Sequence, residues 1–510
     1  MRVQRLLFDA EVMRLMSMTI FAKPLGLVTQ ILLASYFGAG IRLDAYVFTL
    51  FLVEFFDGAV GNVYNAVVIP LTIKFKARFD SIQVLKLQNA IYLLFLGPAL
   101  IYMSILLLRS ELVISILGPK MPSETRVYIV KMLKMMAVPG IILLMVTMLK
   151  ATLNLNKRFR MPAAMPVFKG VIVLVNLVLL QKHIGIWALP VGFAIANISQ
   201  FIVLGIYGLV KRCTGLVRPS VPSGLLSKLW ALSWMVLVAQ TFLRVNQFID
   251  KMFASGLEPG SISSISYSMT IVNFGLQLFL FSLIPVMFTN MSEYFAKGDM
   301  SGGNDYIQTN LNRLSRIVVP VSLALCLTSD EIVRVLFQRG AFDASDTNRT
   351  AGALAMYLLG LPAVIINSLV ARIFFSLQKV RDRMWLAAQY LLTNALGNFL
   401  LVKSLKVMGL AISSSVAINI HLVLSLVILH NYRTGLNVPG FLTVIGRAYV
   451  QAGITYLVYR FSGFGGMLDG WDIGVTVPGA ILVAAVRFFF IMAVYIISLL
   501  IWRWVSARSR

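Results

Sequence analysis

Charge is scarce in this chain. Of its 510 residues only 13% are charged, and 20 acidic side chains stand against 45 lysines and arginines. A soluble globular chain carries about 25% charged residues, so a water-facing surface of ordinary size is excluded. Cysteine is nearly absent: Cys213 and Cys326 stand far apart in unrelated contexts, which excludes a disulfide framework and a thiolate metal site. The three histidines, His183, His421 and His430, lack metal-ligand spacing. There is no glycine-rich phosphate loop, so ATP is not expected as a direct driver. No paired-carboxylate cleft of the glycosyl hydrolase kind is visible. Long polar loops are missing too; the longest, 293–313 and 330–351, would hold only a short interfacial helix. The chain is not expected to be an enzyme.

What is present is apolar surface. Hydrophobic residues make up 59% of the chain, more than a water-soluble core can bury, and the fold class is read as an all-α polytopic membrane protein. A spanning helix needs about 20 mostly apolar residues, and about fourteen stretches qualify: 13–37, 45–73, 87–108, 127–153, 165–181, 184–210, 228–250, 262–292, 314–329, 352–378, 384–402, 407–430, 443–460 and 479–503. The first apolar run continues past Ala34 without a small-residue cleavage site, so it is read as a retained span. The net charge of +25 then falls into a pattern. Arg2, Arg5, Arg14, Lys74, Lys76, Arg78, Lys157, Arg158, Arg160, Lys211, Arg212 and Arg218 lie on one side. Arg313, Arg316, Lys379, Arg381, Arg383, Arg433, Arg503, Arg508 and Arg510 continue on that side. The intervening loops are poorer in basic residues, with two exceptions of moderate size, the loops with Arg109, Lys120 and Arg126 and with Arg334, Arg339 and Arg349. By the positive-inside rule both termini are cytoplasmic. The charge is read as a topology signal that also meets anionic lipid, with membrane lipids as partners and no nucleic acid.

An internal repeat organises the chain. Ala34-Ser35 leading to Gly40 is matched by Ala254-Ser255 leading to Gly260. Ile69-Pro70 is matched by Ile284-Pro285, Glu111-Leu112-Val113 by Glu331-Ile332-Val333, Pro139 by Pro362, and Asn156-Lys157 by Gln378-Lys379. An offset of roughly 220 residues holds an even number of spans, so the two copies share one orientation. The expected organisation is two pseudo-symmetric six-helix lobes, 1–220 and 221–435, followed by two additional C-terminal helices in 436–510.

Charges inside spans are costly and by default face a cavity or a partner. The first span holds Lys23 before Pro24; the second holds Glu54 and Asp57; the fourth holds Lys131, Lys134 and Lys150; the fifth opens with Lys169. The seventh holds Gln240, Arg244, Asn246 and Asp250, the tenth Arg372, and the eleventh Asn394 and Asn398 on one face. Lys131, Lys134 and Lys169 are near span ends, where snorkelling explains them equally well. Lys23 is mid-span and reads as cavity-facing, with Asp57 or Asp44 as its acidic partner. Cations dominate, which suits an anionic head group such as a phosphate or diphosphate.

The sequence resembles the MviN/MurJ-type lipid-linked saccharide flippases of the multidrug/oligosaccharidyl-lipid/polysaccharide exporter superfamily. The N-terminal residues that carry the resemblance are Leu25-Gly26-Leu27, Phe37-Gly38-Ala39-Gly40, Asp44-Ala45-Tyr46, Asp57-Gly58-Ala59 and Pro70. Further on they are Asp250, Ala254-Ser255-Gly256-Leu257, Gly260-Ser261, Tyr267, Phe337, Gly340, Phe342, Thr350, Tyr357 and Gly360-Leu361-Pro362. The resemblance implies a bacterial inner-membrane flippase that moves an undecaprenyl-diphosphate-linked saccharide by alternating access, either lipid II, the peptidoglycan precursor, or an exopolysaccharide repeat unit. The candidate substrate-binding residues, read from the charges in and beside the spans, are Lys23, Asp44, Asp57, Lys131, Lys134 and Arg372. The arginines that the family carries in its first, second and eighth helices are replaced by Lys23, Thr29, Val53-Glu54-Phe55 and Thr270. The resemblance also implies a sodium site at Asp250, Asn394, Asn398, Ser414 and the Leu410 carbonyl. No cofactor is expected otherwise, with coupling left to sodium or to the membrane potential. The expected partner is the lipid-diphosphate-saccharide, with the protein acting as a monomer beside a cell-wall or polysaccharide synthesis complex. The alternatives are a cation-coupled multidrug exporter of the same fold, and a polytopic glycosyltransferase or ligase.

Overall fold

A computed structural model of the protein describes residues 10–215, 217–220, 224–282, 287, 290, 293–294, 299–376, 379–432, 435–469 and 477–508. Of the residues used above, Arg2, Arg5, Ile284, Pro285, Gln378, Arg433 and Arg510 lie outside the described residues. So do the side chains of Arg14, Lys23, Arg503 and Arg508. The described residues are helical, without strands. They form two compact units, Met1–Ser263 and Ser264–Arg510.

In the first unit α1 (Ala10–Phe37) is followed by a second apolar stretch that is not one rod. It comprises α2 (Ile41–Val53), a break at Glu54, α3 (Phe55–Val63), a π turn over Tyr64–Val68, and α4 (Ile69–Lys76). Pro70 supplies a reason for the π turn, because it lacks an N–H and crowds the preceding turn of an α-helix. Next come α5 (Ser81–Leu108), the short α6 (Ser110–Leu117), α7 (Ser123–Leu155), α8 (Arg160–Ile184), α9 (Ala188–Val210) and α10 (Leu225–Ala254). Helix α7 is the pillar. It packs against α2, α3, α5 and α9, and 61% of its most apolar 18-residue window is buried. Helix α10 joins this unit through Phe248, which stacks on Phe51 of α2 at 5.9 Å, and through its packing on α3. The compact unit therefore ends at Ser263 and takes in the seventh apolar stretch.

Helix α11 (Ser261–Ser282) carries the chain into the second unit. That unit contains α12 (Met300–Leu327), α13 (Ser329–Phe337), α14 (Ala344–Leu358), α15 (Leu361–Ser376), the bent α16 (Val380–Asn431), α17 (Val438–Phe461), α18 (Phe464–Asp469) and α19 (Val477–Arg508). Tyr267, Phe337 and Phe342 meet in one aromatic cluster, with ring centres 4.9, 5.5 and 5.9 Å apart. The tenth apolar stretch is broken: α14 and α15 meet at 43°. Pro362 lies in the first turn of α15, where its missing N–H costs no helical bond, whereas Pro139 lies inside the continuous α7.

By length and composition six helices among the described residues can cross a membrane, or seven with the bent α14–α15 pair counted as one span. Two of the six are runs of 51 residues, 160–210 and 381–431, and each folds back on itself. The first turns at Gly185, whose φ of +58° favours glycine; beyond it Phe193 of α9 reaches Lys169 of α8, with Nζ 5.4 Å from the ring centre. The second turns at Lys406 (φ 49°, ψ −126°). There the Ser414 hydroxyl donates to the Asn394 side-chain oxygen Oδ1 at 3.2 Å, although a straight helix would hold residues twenty apart about 30 Å from each other.

Candidate functional site

The polar residues of the first unit converge at the break in its second apolar stretch. Glu54 ends α2 and begins α3, with φ −85° and ψ 1°. Asp57 follows three residues later, one turn on and on the same face. The Thr147 hydroxyl of α7 donates to the Asp57 carboxylate. Lys169 of α8 pairs with Glu54, Nζ to Oε1, at 3.7 Å. Lys150 of α7, Lys169 and Arg244 all lie within electrostatic reach of Asp57, and Lys169 and Arg244 within reach of Glu54. Arg244 comes from α10 and lies directly over Gly58, where a Cβ would overlap the guanidinium. Beside it the Asn62 amide donates to Gln240 at 2.9 Å and to the Gly58 carbonyl at 3.0 Å, tying α3 to α10.

The charges of this cluster do not cancel one another locally. Lys150 and Arg244 make no hydrogen bond or ion pair among the described residues. Lys150 stands about 8 Å from the end of α7, Lys169 about 14 Å from the start of α8 and Arg244 about 15 Å from the end of α10, at 1.5 Å per residue. Facing lipid at such depths a cation is expensive. Yet the Lys169 and Glu54 side chains keep 31% and 36% of their surface open. The arrangement is suited to receiving an anion: three cations from three helices, and two acids that leave one positive charge over.

The residues expected at the site fall in several places. Asp57 lies at its centre. Lys23 is placed by its backbone alone; two residues on, Leu25 touches Gly170, the neighbour of Lys169. Asp44 is buried and caps α11. The Gly260 N–H donates to its Oδ2 at 2.7 Å, and the Ser263 N–H and hydroxyl donate to its Oδ1 at 2.7 and 2.5 Å, an arrangement that a helix N-terminus favours for a carboxylate. Lys131 and Lys134 are exposed near the start of α7, about 20 to 29 Å along it from Thr147 and Lys150. Arg372 is half-buried on α15 in the second unit. Of the residues implied for sodium, Asn394, Asn398, Leu410 and Ser414 are buried on the two arms of α16, whereas Asp250 belongs to α10 of the first unit. The second unit alone therefore supplies neutral oxygens, a weak set for a hard cation without a carboxylate.

Sequence reasoning noted Glu54, Lys150, Lys169 and Arg244 as charges within spans but did not assemble them. The available signal was polar pairs three or four residues apart: Glu54 with Asp57, Thr147 with Lys150, Gln240 with Arg244. A second ion pair went unnoticed. Arg487 of α19 meets Glu331 of α13 at 2.5 Å, both buried, with Tyr459 of α17 under the guanidinium at 6.0 Å.

A family model described as the lipid II flippase MurJ matches residues 33–468. The chain belongs to this family. It stands among transporters rather than enzymes. A probable lipid II flippase MurJ of Thermotoga maritima is 27% identical over 407 residues, covering 78% of this chain and 80% of that one. A lipid II flippase MurJ of Burkholderia cenocepacia is 24% identical over 458 residues, covering 86% and 87%. A solved lipid II flippase MurJ in an inward closed conformation shares the fold, with a TM-score of 0.77, 20% identity and coverage of 95% and 99%. An inward-facing multidrug resistance MATE family transporter of the MOP superfamily also shares it, with a TM-score of 0.68 and 10% identity, covering 83% and 98%. At such identities these structures speak to the fold alone.

Proposed function

We propose that the protein flips a lipid-diphosphate-linked saccharide of the lipid II class across the bacterial inner membrane. The observation that carries this reading is the membrane-embedded cluster Lys150, Lys169 and Arg244, in which two cations lack a hydrogen-bonding or ion-pair partner among the described residues. An ammonium or guanidinium held in that state is satisfied by a phosphate oxygen, and a guanidinium can grip two at once. A small cationic drug would meet the wrong sign of charge, which sets the multidrug alternative aside.

In this reading the six-helix repeats, 1–220 and 221–435, rock to expose the cluster to each face of the membrane in turn. Both termini are cytoplasmic, about fourteen spans are present, and the two helices in 436–510 flank the lobes. Asp44 clasps the start of α11 in the present conformation, and its release accompanies the opposite opening. Sodium coupling through Asp250, Asn394, Asn398, Leu410 and Ser414 is the accompanying proposal, with a single copy as the working unit. The test is rescue of cells depleted of their lipid II flippase. Growth on expression of this chain, lost with Lys150→Ala, Lys169→Ala or Arg244→Ala at normal membrane levels, supports lipid II. Failure of the intact chain to rescue, with restored export in cells lacking an exopolysaccharide flippase, would transfer the reading to that saccharide.

A further inference from the structure

The two acids of the cluster are held differently. Asp57 accepts a short hydrogen bond from the Thr147 hydroxyl, which fixes it to α7. Glu54 has no such anchor. Among the described residues its only ion pair is with Lys169 at 3.7 Å, longer than the roughly 2.7–2.9 Å of a hydrogen-bonded N–H to carboxylate pair. About a third of each side chain is open. Glu54 also sits where α2 ends and α3 begins, so its side chain leaves the helix at a break.

We infer that Glu54 is an internal counter-ion that takes the place of a substrate phosphate beside Lys169 when the site is empty, and that the substrate displaces it. The inference rests on the reading of this cluster as the diphosphate site and names its selectivity. With Glu54 in place the three cations and two acids leave one positive charge. With Glu54 displaced, only Asp57 opposes the three cations and two positive charges remain. A diphosphate bearing a substituent at each end carries two negative charges, so the opened site balances that class and over-balances a singly charged phosphodiester. A loose, partly exposed ion pair is worth at most about 1 kcal/mol, weak enough for an incoming diphosphate to compete with. The carboxylate returns to Lys169 as the substrate leaves, which favours release.

The experiment uses the full-length protein in lipid nanodiscs, with dimethyl diphosphate as the probe, dimethyl phosphate as the singly charged control, and calorimetry as the readout. Removing the competing charge with Glu54→Gln should tighten dimethyl diphosphate binding about threefold to fivefold, the ratio that corresponds to a pair of this strength. Dimethyl phosphate should gain less, because the site then over-balances a single charge, so the preference for the diphosphate should widen. Glu54→Asp keeps the charge and should bind as the parent does, which separates charge from any loss of structure. In cells Glu54→Gln should lower the apparent KM for flipping and lower kcat with it, because release slows. If Glu54→Gln binds no tighter while Lys169→Gln binds weaker, the counter-ion role is wrong and the diphosphate site stands. If none of Lys150→Gln, Lys169→Gln and Arg244→Gln changes the affinity, the site reading itself fails, and the counter-ion with it.

Discussion

The buried pair between Glu331 and Arg487 allows a stability prediction with a definite asymmetry. The two side chains are 6% and 9% exposed and 2.5 Å apart. At an effective dielectric constant near 20 their attraction is about 7 kcal/mol, offset by a desolvation cost of several kcal/mol per ion. The pair is therefore close to neutral as a whole, and removing one member exposes the cost of the other, about 3–5 kcal/mol. The two single substitutions should not be equal. After Arg487→Met, the stranded carboxyl can take up a proton, and neutralising an ordinary glutamate of pKa near 4.3 at pH 7 limits the loss to about 4 kcal/mol. After Glu331→Leu, the guanidinium has no such escape, since it stays charged throughout the accessible pH range, with the Tyr459 ring still 6.0 Å away. Glu331→Leu should thus be the more destabilising, and the damage from Arg487→Met should shrink as pH falls from 7 towards 5. The double substitution should recover most of the loss. Unfolding by SDS titration in mixed micelles, run as a double-mutant cycle, measures all four states. Two single losses below about 1 kcal/mol that simply add would refute the reasoning, because a buried, coupled pair cannot behave that way.

Three further outcomes are expected. Gly58→Val should displace the Arg244 guanidinium, which a Cβ there would overlap, and should abolish rescue of flippase-depleted cells while the protein still reaches the membrane; wild-type growth would show that Arg244 does not need its present seat. Lys406→Gly should stabilise the protein, because φ 49° and ψ −126° cost a non-glycine residue about 1–3 kcal/mol, more than the roughly 0.5–1 kcal/mol of added chain entropy that glycine brings; a lower midpoint in the same SDS titration would contradict this. Asp44→Asn presents an N–H₂ group to donors now received by two carboxylate oxygens and should cost about 1–3 kcal/mol, seen as faster hydrogen exchange at Gly260 and Ser263.

The fold class was legible because bilayer thickness imposes a length on apolar runs, and most described helices longer than 18 residues overlap such a run; α12 is the exception, since it begins at Met300 and fills with helix the stretch 300–313 that was expected to hold only a short interfacial helix. The breaks were harder. Hydropathy is continuous across Glu54 and across Gly360, and a backbone that bends within an apolar run leaves no mark in composition, whereas the reversal at Lys406 falls where Lys403 and Lys406 part the runs 384–402 and 407–430. The same limit explains the site. Asp57 stood out as an acid in a span, but its partners lie on α7, α8 and α10, and only packing brings 147, 150, 169 and 244 to 57. Lys131 and Lys134 drew attention as a pair on one helical face, and that face is exposed. Asp44 read as a cavity acid because its hydrogen-bond donors lie more than 200 residues away in sequence.

The two folded-back runs, 160–210 and 381–431, bear on how the chain enters a membrane. Neither has a long hydrophilic loop at its tip to be translocated ahead of a second arm; beyond a few polar residues the turns are Gly185 with Ile186 and Trp187 and a single reversal at Lys406. Such a unit inserts as a closed pair, its arms shielding each other's backbone from the first moment. It also returns the chain to the side on which it began. Loss or gain of one hairpin during evolution would leave every later helix the same way up, so changes of length at these points preserve the polarity of everything downstream, whereas loss of a single arm would invert it.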